Sequence, residues 1–567
     1  MRRYLAMLFI LILLLACRLP LSTPIPTATL PSATQTTQPP TPTPTASPTP
    51  LPSATPTTTP TPEPTAPDFE VEYHPDGPLY TGDQVSISVI APAEMNLEGA
   101  TLSIQIDQPQ PVPLGETNFG SWGIAGRSQA TIVWIWNTSG LAAGDYTLSY
   151  SINPQGYTFS EKVTLLPESA IPPAQAGAHW AEATTECCVL HYITGTAAER
   201  DLPALMAMVD QQAEHAVQAM GIEFTEPITI TVMPRVLGHG GFASDEIYVS
   251  YLDRNYAANS WEMVVHHEMI HILDRRLGGD LRPSILVEGL AVYMSGGHYK
   301  PEALLPRASA LLGEALDAFI PLRGLADDFY NTQHEIGYLE AGALVQYLVE
   351  TYGWEMFSSF YRDIHAAASG SQADALEAAL LAHFGQTLAE LEQAFIEFLT
   401  MQADADGWEE DVRLTVTYFD TLRRYQALLD PSAYFKTAWL MDGPAMRERG
   451  ITGDLLRSPS QPANLALEAL FISASDAMVN LDSGTTEMRL AVINQVLEGI
   501  EAGDAEPFSV HPLAADFLAI ANALQQNGYW LQSVELNGDT ASALVTAETM
   551  ELIELNLIRQ SDYWQIN

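Results

Sequence analysis

His267-Glu268-Met269-Ile270-His271, followed seventeen positions after its second histidine by Glu288 in Val287-Glu288-Gly289-Leu290-Ala291, decides how this chain is read. Histidines at i and i+4 stand one above the other on a single helix face, so both rings can reach one cation. Zn2+ accepts neutral imidazole and carboxylate, and a catalytic site keeps three protein ligands and an open position for water. Glu268, one residue after the first histidine, is placed to take a proton from that water.

The flanking residues spell out two helices. Asn259 and Ser260 offer N-cap oxygens, and Glu262 complements the dipole in the first turn. Trp261, Val264, Val265, Met269, Ile272 and Leu273 supply a buried face. Arg275 and Arg276 fall in the last turn and Gly278 ends it. Pro283 suits the start of a second helix that carries Glu288 and closes at Gly296-Gly297. Gly289 and Ala291 are small enough for this helix to approach the first closely. Two core helices that merely happened to carry two His and two Glu would bury four polar groups at considerable cost.

These motifs resemble the gluzincin superfamily of zinc metallopeptidases, in its peptidase MA-like branch, over roughly residues 178–400. The resemblance implies an α/β lobe followed by an all-helical lobe, a thermolysin-like layout. It implies that His267, His271 and Glu288 bind one Zn2+ and that Glu268 is the general base. It also places a tyrosine at the start of a later helix, where the phenol donates to the oxyanion. In Gly337-Tyr338-Leu339-Glu340-Ala341-Gly342-Ala343 the matching residue is Tyr338, with His334 the runner-up and plain packing the competing role. The spacing from His271 to Glu288 is shorter than in thermolysin-like or aminopeptidase N-like enzymes, and Val287 replaces the aminopeptidase-type Asn. Both departures argue against those two subfamilies.

Within residues 176–405, His191 to Gly195 reads as strand and turn, Leu202–Met220 as a long helix, and Ile228–Val232 and Glu246–Ser250 as strands. By the same resemblance, Glu246–Ser250 forms the sheet edge above the cleft, to which an extended peptide adds by main-chain bonds. His239 and His266 lie nearby without an assigned role; His266, about 100° around the helix from His267, points away from the ligand face.

Composition bounds the rest. The 567 residues carry 69 acidic and 24 basic side chains, a net charge of −45, which repels phosphate backbones and excludes nucleic acid as a natural partner. Arg2-Arg3 precede an apolar run, Leu5 to Leu15, that is short for a membrane span. Leu14-Leu15-Ala16-Cys17 resembles a bacterial lipobox, which implies a signal peptide at 1–17 and lipidation of Cys17, hence a membrane partner and an extracytoplasmic, cell-surface location. A plain secretory signal is the alternative. Residues 18–67 hold sixteen Pro, sixteen Thr and no aromatic residue. That composition cannot build a core and reads as an extended stalk, on the order of 100 Å or more at about 3.1 Å per residue.

Residues 68–168 alternate apolar and polar side chains between turns, as in Val85–Val89 and Leu102–Ile106, and loosely resemble an immunoglobulin-like β-sandwich acting as a spacer. Residues 406–567 read as helices at 409–429, 462–479, 484–502 and 512–526, then an antiparallel sheet: an α+β domain. Its end loosely resembles a cystatin-like or nuclear-transport-factor-like cone. Cys187-Cys188 is either a redox or metal pair or a pair of small strand residues. The expectation is therefore a zinc peptidase acting on peptide or protein substrates. The competing possibility is a catalytically silent cell-surface binding protein built on the same fold.

Overall fold

The computed structural model describes residues 67–120, 127–236, 240–402, 407–434, 442–457, 459–547, 551–561 and 563–567. Cys17, nearly all of the expected stalk and His239 lie outside the described residues. The chain is a multidomain assembly of mixed and antiparallel sheets with a helical region.

The first unit stacks two sheets. Strands β1 (Glu70–His74), β3 (Gln84–Ile90) and β6 (Gln129–Asn137) make one, in the order β1-β3-β6. Strands β2 (Leu79–Tyr80), β4 (Thr101–Ile106), β5 (Val112–Asn118), β7 (Gly144–Asn153) and β8 (Tyr157–Leu166) make the other, in the order β2-β8-β7-β4-β5. Alternation puts Val85, Ile87, Val89, Leu102, Ile104, Trp136, Leu148 and Tyr150 in one core. An irregular register between Val85 and Ile87 meets Trp134 at a positive φ of 48°. There the Trp134 indole turns away from that core, toward Asp454 and Arg449.

The second unit opens with a five-stranded mixed sheet: β9 (Trp180–Thr184), β10 (Cys188–Ile193), β11 (Ile228–Met233), β12 (Gly241–Ala243) and β13 (Ile247–Ser250), ordered β12-β13-β11-β10-β9. Strands β10, β11 and β13 run parallel, and the outer two antiparallel to their neighbours. The edge is therefore β12, not the expected strand ending at Ser250: the chain folds back before it and pairs a short extra strand on the outside. Cys187 and Cys188 are joined by a disulfide, with Cys188 buried at the head of β10.

One sheet face buries Leu190, Ile230, Val232, Ile247 and Val249 against α1 (Leu202–Met220) and α2 (Trp261–Leu277). The other face, with Ile193, Met233 and Tyr248, is covered by Met446, Ile451 and Leu455 from the segment 443–456. The remaining long helices of this unit are α3 (Ser284–Ser295), α4 (Leu304–Ala310), α5 (His334–Tyr352), α6 (Trp354–Arg362), α7 (Gln372–His383) and α8 (Leu388–Met401). Gly289 serves the α3–α5 contact instead of the expected α2–α3 contact: a Cβ there would stand 2.4 Å from the Ala341 carbonyl oxygen.

The last unit packs α9 (Trp408–Leu429), α10 (Pro462–Val479), α11 (Ser483–Ala502) and α12 (Pro512–Gln526) against the meander β14 (Trp530–Asn537), β15 (Thr540–Thr546), β16 (Leu552–Gln560) and β17 (Tyr563–Ile566). Its core also takes in Val236, Tyr256, Ala257 and Tyr299 from the preceding unit. Buried ion pairs tie the units together. Arg235 meets Asp430 at 2.7 Å, Arg254 meets Glu468, and Arg457 grips Asp83 of the first unit at 2.7 and 2.9 Å. Removing one partner of such a pair typically costs about 3–5 kcal/mol, because the other charge is left buried and uncompensated. Among the described residues no helix is long and apolar enough to cross a membrane.

Candidate metal centre

Helix α2 starts where Ser260 Oγ accepts from the Met263 amide, with Glu262 in its first turn, and ends with the Gly278 amide donating to Asp274 O. Val265, Met269, Ile270 and Leu273 anchor it in the core. His266 points to that side, its Nδ1 3.0 Å from Gln212 Oε1 of α1, away from the ligand stripe. Helix α3 follows Pro283 and closes at Gly296, which takes the left-handed conformation (φ 76°).

These two helices bring His267, His271 and Glu288 together. Each imidazole Nε2 lies 3.4 Å from Glu288 Oε2, and the three ligand atoms all lie within 4.8 Å of one another. The rings are nearly perpendicular, at 86° with centroids 4.7 Å apart. Tetrahedral zinc with bonds of roughly 2.0–2.1 Å needs ligand atoms about 3.4 Å apart, so the two nitrogen–oxygen separations fit that ion. His267 Nδ1, His271 Nδ1 and Glu268 Oε2 are buried without a hydrogen-bond partner among the described residues. The two nitrogens facing Glu288 are the ones that could hold an ion, and Glu268 has one carboxylate oxygen without a partner among the described residues.

The electrostatics suit a divalent cation. Burial would raise Glu288, but His271 and the contacts with both imidazoles outweigh it and hold the carboxyl well below its usual range. Burial opposes a proton on His271, yet Glu288 overcomes this and raises that imidazole to about 9. Burial lowers His267. A proton on His271 balances Glu288, a role that a bound cation would take over. Burial pushes Glu268 up to about 7, the range in which a carboxylate takes and returns protons near neutrality.

Around the triad stands a rim of which the sequence reading names Tyr338 and His334 but not Tyr330 and His298. Tyr330 donates its hydroxyl to Glu288 Oε1 at 2.7 Å, fixing the oxygen that does not face the histidines. Tyr338, on the first turns of α5, is buried; its ring stacks on His298 at 3.9 Å and lies 6.5 Å from the His267 ring. His334 sits 4.4 Å from Tyr338, and His298 5.7 Å from His267. The start of α5 is held from two sides. Gln333 caps it by accepting from the Ile336 amide, and Glu335 pairs with Arg423 of α9 at 3.1 Å. Tyr330 and His298 lie on connections with no metal-binding spacing, so only the fold shows that they belong here.

The sequence matches no known family model and no curated protein. In shape the chain is similar to the crystal structure of an aminopeptidase N family protein from Idiomarina loihiensis, over 66% of this chain and 77% of that one. Identity is 10% and the TM-score 0.23, too loose a superposition to bear on the reading of the site.

Proposed function

We propose that the chain is a zinc metallopeptidase of gluzincin type acting outside the cytoplasm. The observation that carries this reading is the convergence of His267, His271 and Glu288, with both nitrogen–oxygen separations at 3.4 Å, and Glu268 one residue along the helix from His267. His267, His271 and Glu288 would hold the ion. Bound zinc supplies a Lewis acid for the scissile carbonyl and acidifies the attacking water. Glu268 accepts that water's proton and delivers it to the leaving amine. Tyr338 donates its hydroxyl to the oxyanion, and Tyr330 keeps Glu288 in its ligating orientation.

The proposed arrangement is a signal peptide at 1–17 with lipidation of Cys17, a stalk to residue 67, and an immunoglobulin-like module at 68–168. A peptidase domain at 176–405 and an α+β domain at 406–567 follow. The test is turnover of a quenched peptide library by the zinc-loaded full chain, with and without chelator. Glu268→Gln is expected to keep its zinc and lose roughly 10² to 10⁴ in rate, because its carboxamide cannot accept the proton. A Glu268→Gln protein as active as the wild type overturns the mechanism. A zinc-loaded wild type that binds peptides and cleaves none makes the chain a silent binding protein.

A further inference from the structure

The edge strand β12 runs along the helix face that carries the ligands. On α2, Val264, His267, His271 and Arg275 form one stripe, at i, i+3, i+7 and i+11. Gly241 lies against the first of these: a Cβ there would stand 2.7 Å from Val264 Cγ1. At the other end Arg275 donates to the Ala243 carbonyl at 3.0 Å and to the Ser244 carbonyl at 2.6 Å. The two metal-facing imidazoles therefore sit between the ends of the strand.

The pairing tells which main-chain groups β13 leaves unused. Ser250 N donates to Gly240 O, Ser244 N donates to Glu246 O, and Phe242 is opposite Tyr248. In an antiparallel ladder this turns the amides and carbonyls of Gly241 and Ala243 away from β13; Gly241 is buried against Val264, and the Ala243 carbonyl accepts from Arg275, which leaves the Ala243 amide for an added strand. A peptide adding antiparallel to that edge runs from the Ala243 end to the Gly241 end. Residues upstream of its scissile bond then lie beside Arg275.

Arg275 is exposed and uses two of its five N–H donors on the strand carbonyls. Arg282 lies within electrostatic range and is paired with the buried Asp274; Asp245, exposed in the turn after β12, is the acidic group facing Arg275 from the strand side. We infer that Arg275 forms a subsite for a carboxylate, the side chain of an Asp or Glu lying upstream of the scissile bond. The guanidinium holds the end of the edge strand and offers its remaining donors to the substrate in a charge-assisted, bidentate geometry. This inference rests on the peptidase reading and names the substrate class of that same site.

The test compares paired quenched peptides that differ only by Glu or Gln at the upstream positions. Wild type is expected to favour the Glu peptide by about tenfold or more in kcat/KM, the effect of one charge-assisted contact. Arg275→Met should bring that ratio close to one, and Arg275→Lys should leave an intermediate ratio. Zinc content and thermal transition of both variants report whether the fold is kept. The same pair is also titrated against Glu268→Gln protein, so that binding is read without turnover. A Glu preference in binding that Arg275→Met abolishes supports the subsite even if no peptide is cleaved, in which case the peptidase reading alone fails. Equal treatment of both peptides by wild type, or an equal slowing of both in Arg275→Met, overturns the subsite and leaves Arg275 as a clamp on the strand.

Discussion

The ligand triad and the rim around it are built in opposite ways. His267, His271 and Glu288 come from two consecutive helices, and their relative positions follow from helix geometry and one short connection. The rim of Tyr330, Tyr338, His298 and His334 comes from two later stretches, with Tyr338 and His334 on a helix whose first turn is held by Arg423, far along the chain. A metal site of the kind proposed can thus be encoded locally, whereas the groups that would stabilise a transition state depend on long-range packing. The difference predicts that damage to the triad removes the metal, and damage to the rim slows the chemistry with the metal still in place.

The largest expected effect is on His271→Ala. Zinc should fall from about one ion per chain to none by elemental analysis, since two ligands do not hold the ion at this kind of site. Equal zinc in both proteins would dissolve the distinction between triad and rim. Next comes Tyr338→Phe, which should keep zinc but lose roughly 10² to 10³ in kcat with a modest change in KM. Combined with Glu268→Gln it should cost less than the product of the two, because both act on one transition state. Tyr330→Phe lies on the boundary, since the hydroxyl touches a ligand and not the substrate. Zinc affinity is expected to drop about 10- to 100-fold while the thermal transition of the zinc-loaded protein holds. An unchanged affinity would place Tyr330 outside the metal site.

The smallest effect tests the contact between the first and second units. His74, buried near Arg235 where the first unit meets the second, is lowered by burial and by that charge to about 3. The unfolded chain takes the proton near pH 6.5, so the native state binds fewer protons than the unfolded state between about 6.5 and 3. Its contribution is complete above pH 6.5 and is lost as pH falls, by no more than about 1.4 kcal/mol per pH unit. Thermal melts of wild type and His74→Gln across that window should converge toward low pH. Parallel curves would show that His74 carries no such linkage.

Much of the local structure was legible. Ser260, Glu262 and Gly278 mark the ends of α2, Pro283 and Gly296 those of α3, and apolar periodicity marks α9 to α12. Caps, glycines and periodicity act over a few residues, which is why a sequence displays them. Two readings missed for the same physical reason. The sheet edge belongs to Gly241–Ala243, three residues too short for a periodic signal. Gly289 is small because of the Ala341 carbonyl, a partner about fifty positions away.

The sequence by itself determined the helices, the spacing of His267, Glu268 and His271 on one of them, and the acidic balance, because each depends on neighbours within a turn or on simple counting. Only the tertiary structure decided which oxygen of Glu288 faces the histidines, that Tyr330 holds the other, and that Arg275 ends the edge strand. It also decided that the C-terminal unit shares its core with loops beside the site. Those facts depend on how distant surfaces close-pack and where buried charges find partners, and neither leaves a pattern along the chain.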